Sequence, residues 1–108
     1  MRKGRRAKLE QAGWRVGTAR EFLGLSDEEA RFIELKLALA GALRRKRERE
    51  GLSQTALAKL IESSQSRVAK IEAGDRPVSL DLIVRSLLAM GTSPRELARI
   101  ISGAKQAA

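Results

Sequence analysis

Between Ile61 and Val68 the chain carries six consecutive polar side chains, Glu62-Ser63-Ser64-Gln65-Ser66-Arg67, and Lys70 follows soon after. Amides, hydroxyls and cations of this kind donate and accept hydrogen bonds but are poor nucleophiles and poor proton shuttles at neutral pH. Their natural chemistry is recognition. A Gln side chain matches the donor–acceptor edge of adenine and Lys or Arg that of guanine, each good pair discriminating by about 1–3 kcal/mol. The same six residues also fit an ordinary capped turn with solvated side chains, so the elements around them must decide.

The rest of the composition narrows the choice. The 108-residue chain has no Cys, His or Tyr, which removes disulfides, thiolate metal sites and the commonest general bases and zinc ligands. Its one dense carboxylate cluster, Asp27-Glu28-Glu29, sits at a helix start and is explained there. No enzyme, cofactor or metal is expected. Twenty-two Lys and Arg against 13 Asp and Glu give +9, a balance that suits a phosphate-rich partner. The opening "MRKGRRAK" reads as a basic tail that adds nonspecific attraction to nucleic acid. A membrane role is not expected. The apolar-rich run "LKLALAGAL" is too short to span a bilayer, it is followed by "RRKRERE", and the N-terminus has no apolar signal core. With no cysteine, a cytoplasmic location is expected.

Caps and glycines divide the chain into helices. Thr18 with Glu21 forms a capping box for a short helix through "AREFL" that Gly24 closes. Ser26 with Glu29 opens a long helix, "DEEARFIELKLALAGALRRKRERE", that stops at Gly51. Ser53 caps "QTALAKLI", Ser64 caps "QSRVAKIEA" up to Gly74, and Ser79 caps "LDLIVRSLLAM" up to Gly91. Ser93, with Pro94 and Glu96, starts "RELARII". Only "GWRV", around Trp14, hints at a strand, and it is too short to assert one. Leu57, Ile61, Val68, Ile71, Leu80, Ile83 and Leu87 recur at three- or four-residue steps and should share one core. The long helix has two stripes, Phe32-Leu35-Leu39-Leu43 and Ile33-Leu37-Ala40, with Lys36 between. One stripe should face the bundle and the other the N-terminal "FLGL" segment or a second chain.

The helix starts differ in charge. A helix N-terminus carries partial positive charge, and an acid in the first turn contributes about 0.3–1 kcal/mol there. Glu21, Asp27 to Glu29, Asp81 and Glu96 follow that rule, but the helices after Ser53 and Ser64 begin "QTA" and "QSR". These two are consecutive. An external anion could complete them, since free N–H groups and the dipole favour phosphate. Two short helices joined by three or four residues, the second amphipathic with a polar start, describe a helix-turn-helix whose second helix enters the major groove. Gln65, Ser66 and Lys70 then share the exposed side opposite Val68 and Ile71, and "SSQSR", from Ser63 to Arg67, becomes the reading edge.

At the spacings of "GLSQ", Leu57-Ala58, "SQS" from Ser64 and "IEAG" from Ile71, the stretch resembles the Xre/Cro-type, phage-repressor-like helix-turn-helix domain. The resemblance implies an all-α, lambda-repressor-like bundle of five to six helices, acting as a homodimer on a palindromic double-stranded DNA operator. It implies that Gln54 touches the DNA backbone or an outer base, that Gln65, Ser66 and Lys70 read bases beside Ser64, and that Arg67, Arg76 and Ser79 meet phosphates. It also implies an ion pair between Arg47 and Glu72. Glu62 stands where that family commonly has a turn glycine, Ser63 where an apolar residue often tucks in, and Lys46 at a frequently apolar position. The flank "GWRVGTAREFLGLSDEEARFIELKLALAGALRRKR" is similar to antitoxins of the HigA type, which implies a transcriptional repressor of its own toxin–antitoxin operon and a RelE/HigB-like toxin as partner. The expected organisation is a basic N-terminal arm with a short helix over 1–25, the helix-turn-helix domain over 26–102 and a flexible tail over 103–108.

Overall fold

The structure, a computed structural model, describes Gly24 and residues 26–104. The expected "AREFL" helix and the stretch around Trp14 lie outside the described residues. Among the described residues five helices follow one another: α1 Asp27–Arg49, α2 Gln54–Leu60, α3 Gln65–Ala73, α4 Leu80–Ala89 and α5 Pro94–Ala104. No strand occurs among the described residues, so the fold is all-α as expected.

Each helix starts where a serine can satisfy an orphan amide. Ser26 Oγ accepts from Glu29 N–H at 3.1 Å while the Glu29 carboxylate accepts from Ser26 N–H at 2.9 Å, a reciprocal capping box. Ser93 and Glu96 repeat it at α5, at 3.1 and 3.0 Å. Ser53, Ser64 and Ser79 accept singly from Ala56, Arg67 and Leu82. Such a cap is worth about 1 kcal/mol, so the serines set the register of every described helix. Gly51, Gly74 and Gly91 take positive φ just beyond the ends of α1, α3 and α4. Helix α5 continues through Ala104, which is buried.

The core is where the spacing places it. Leu39 and Leu43 of α1, Leu57 of α2, Val68 and Ile71 of α3, and Ile83 and Leu87 of α4 are all buried in one cluster. Burying each such side chain stabilises the fold by about 1.5–3 kcal/mol. Ile61 and Leu80, expected inside, are only partly buried against it. Helix α1 is the axle, contacting α3, α4 and α5, while α2 leans on α3. Its two stripes separate along its length instead of around it. Leu39, Ala40 and Leu43 enter the core, but Phe32, Ile33 and Leu37 stay exposed at 49%, 37% and 49%. Lys36, in their midst, is buried. Among the described residues no helix is long and apolar enough to cross a membrane.

Candidate nucleic-acid interface

The turn between α2 and α3 closes by backbone alone. Ser63 N–H donates to Ala58 O at 2.7 Å and Glu62 N–H to Lys59 O at 3.3 Å, the double bond pattern that ends a helix through a left-handed residue. That residue is Glu62, at φ 53, the single non-glycine with positive φ among the described residues. Glu62 thus adopts the left-handed conformation expected of the turn glycine whose place it holds, with strain accepted at one residue. Ser63 turns its hydroxyl inward, where Oγ is buried with no hydrogen-bond partner.

This geometry sets the beginnings of α2 and α3 side by side. Gln65 Nε2 donates to Gln54 Oε1 at 2.6 Å, and Gln54 Nε2 donates to Glu72 Oε1 at 3.1 Å. Neither helix has an acid in its first turn, and both capping serines are exposed. Gln65, Ser66, Arg67 and Lys70 are exposed, opposite the buried Val68 and Ile71. Ser64 and Ser66 bring their hydroxyls to 3.4 Å. Gln65, Ser66 and Lys70 thus form a ridge of donors and acceptors on α3, flanked by the cation of Arg67. Arg76, in the α3–α4 loop, is exposed, and so is Ser79 at the start of α4.

A buried ion pair stands behind the ridge. Arg47 donates through Nε to Glu72 Oε2 at 2.5 Å, through Nη2 to Oε1 at 3.0 Å, and through Nη1 to Leu52 O at 2.8 Å. The Glu72 side chain is 3% exposed. Hydrogen bonding to the Glu72 carboxylate, reinforced by its charge and opposed by burial, raises the Arg47 guanidinium above its ordinary value. A fork-to-carboxylate pair with both carboxylate oxygens engaged is the geometry in which burial is tolerated. Because Gln54 takes a share of the same carboxylate, an ordered chain of polar contacts runs from Arg47 in α1 to Gln65 on the surface.

Sequence reasoning missed two parts of this arrangement. The link from Gln54 to Glu72 has no local signal, because it joins residues 18 apart. Lys36 donates to Asp75 O at 2.8 Å and to Arg76 O at 3.2 Å. Its signal was available: a single charge inside "LKLALA", with apolar residues on both sides of the helix, has little room to reach water.

The sequence profile of a family described as "Helix-turn-helix domain" matches residues 38–100, more than half of the chain and including all of α2, α3 and α4. No curated protein and no solved structure matches the chain.

Proposed function

The chain belongs to the helix-turn-helix domain family, and on that premise we propose that it is a sequence-specific transcriptional repressor that binds a palindromic operator as a homodimer. The observation that carries the reading is the exposed Gln65-Ser66-Lys70 ridge, with Gln65 already held by Gln54 at 2.6 Å. A donor–acceptor edge fixed before binding loses less side-chain freedom on contact, which favours selective readout over mere attraction. Base contacts fall to Gln65, Ser66 and Lys70, with Gln54 and Ser64 at their margin; phosphate contacts fall to Arg67, Arg76 and Ser79. Selection of bound duplexes from a random pool should yield two half-sites about 34 Å apart. Combined Gln65→Ala and Lys70→Ala should abolish preference for the selected sequence while the thermal transition stays in place. Retained preference would overturn the ridge as the reading surface.

The finer reading is an antitoxin that represses its own operon and captures a RelE/HigB-like toxin. Two things support it: the likeness of the N-terminal flank to HigA-type antitoxins, and the apolar Phe32-Ile33-Leu37 face that α1 leaves exposed. Co-expression with the adjacent reading frame tests it; a toxic product neutralised by this chain supports it, and an inert product favours a stand-alone phage-repressor-like regulator. The same face is what an adaptor that holds a protein would use. In that case the Gln65→Ala, Lys70→Ala variant would keep its partner and lose nothing.

A further inference from the structure

Lys36 sits in the N-terminal half of α1, outside the helix-turn-helix, yet it is 8% exposed and both of its hydrogen bonds go to the α3–α4 loop. Burying an ammonium is costly unless it is well bonded. A methionine of similar length would fill the same space without that cost, so the charge must serve what it touches.

What it touches is the backbone on either side of one residue. The Asp75 carbonyl belongs to the peptide plane before Arg76 and the Arg76 carbonyl to the plane after it, and both converge on Lys36 Nζ. With both flanking planes held, the φ and ψ of Arg76 are fixed and so is the direction of its Cα–Cβ bond. Pro77 adds to this, because its ring narrows the backbone choices of the residue before it. The rest of the loop is tied locally: Asp75 N–H donates to Lys70 O at 3.1 Å and Val78 N–H to Asp75 O at 3.0 Å. Of these contacts, the Lys36 bonds alone join the loop to α1, a different helix.

We propose that Lys36 is a positioning residue for DNA binding, a clamp from α1 that aims the Arg76 guanidinium at the phosphate backbone. This rests on the reading of α2 and α3 as a DNA-recognition unit. Lys36 itself, buried behind the loop, does not touch DNA; it acts through Arg76.

The test is Lys36→Met, with Lys36→Gln as a second variant that keeps one donor and serves if the methionine variant does not fold. Amide hydrogen exchange on the DNA-free chain reads the clamp directly. Exchange at Asp75 and Val78 should rise by about tenfold or more, while core amides such as Ile71 and Leu87 keep their protection. Affinity for a duplex selected by the native chain then reads the function in a cycle with Arg76→Ala. Each single variant should lose about tenfold, and the double variant should lose little beyond that, because the two changes remove one and the same contact. Losses that multiply to about a hundredfold would overturn the proposal, as independent sites add in free energy. Unchanged exchange at the loop would overturn it as well. Failure of the native chain to select any duplex would instead bring down the DNA-binding reading, and the aiming role with it, whatever the exchange shows.

Discussion

Glu62 is the residue at which sequence and backbone disagree most openly. Its left-handed conformation, φ 53, brings Cβ close to a carbonyl oxygen and costs about 1–2 kcal/mol in any residue but glycine. Glu62→Gly should therefore stabilise the fold by about 1 kcal/mol despite the added freedom of the unfolded chain. Denaturant titration of the two proteins checks this, and a lower midpoint for the glycine variant would refute it. Ser63 is the same kind of residue-scale defect, a buried hydroxyl with no partner. Both positions were legible from the family pattern as departures, yet the sequence alone could not say which side would yield. The backbone held and the side chains carried the strain, because two well-aligned amide bonds outweigh one unfavourable φ.

Elements explain what single residues cannot. Arg47 and Glu72 come from α1 and α3, and their pairing is readable from sequence only through resemblance, since 25 residues separate them. Arg47→Met should cost about 3–5 kcal/mol, because it leaves the Glu72 carboxylate buried without a countercharge. Changing both partners to apolar residues should recover much of that loss, and equal instability of the single and double variants would contradict the account. The helix starts add a pH dependence. Backbone N–H donation from Ser26, then the Ser26 hydroxyl, holds Glu29 below the ordinary glutamate range, and Ser93 N–H, followed by the Lys46 charge, does the same for Glu96. A carboxylate whose folded value is depressed contributes stability that is fully present above its unfolded value. That contribution is lost as pH falls through the depressed folded value. Melting temperatures should hold steady from neutral pH down to the ordinary glutamate range and then drop, and Glu29→Gln with Glu96→Gln should blunt the drop. Among the described helices the boundaries were well anticipated because each start has a serine and three of the ends have a glycine just beyond. The inner geometry of α1 was not. Periodicity reports which residues lie on one side of a helix, but it cannot report where along its length the neighbours stop. Phe32 and Leu39 therefore looked alike in sequence and differ in burial.

At the scale of the whole molecule, net charge governs the approach to a partner. A chain of +9 facing a polyanion displaces counterions, so log affinity should fall linearly with log salt, with a slope of about −0.9 for each phosphate neutralised. Anisotropy titrations across salt would show it, and a flat response would remove the phosphate contacts assigned to Arg67 and Arg76. The all-α fold and the location of the helix-turn-helix were legible because composition, caps and spacing agree with one another, as they must in a sequence that specifies one structure. Long-range polar contacts were not legible, because nothing local in the chain encodes which carbonyl a lysine will find across the bundle.

The bond between Gln54 and Gln65 bears on any attempt to retarget this protein. Changing Gln65 alone would strand an amide on Gln54, and Gln54 would then be free to swing away from Glu72. A library that varies one of the two while keeping the other would thus sample misaligned surfaces and report poor binders for reasons unrelated to base preference. If Gln65 reads a base as proposed, the two glutamines act as one unit and should be exchanged together.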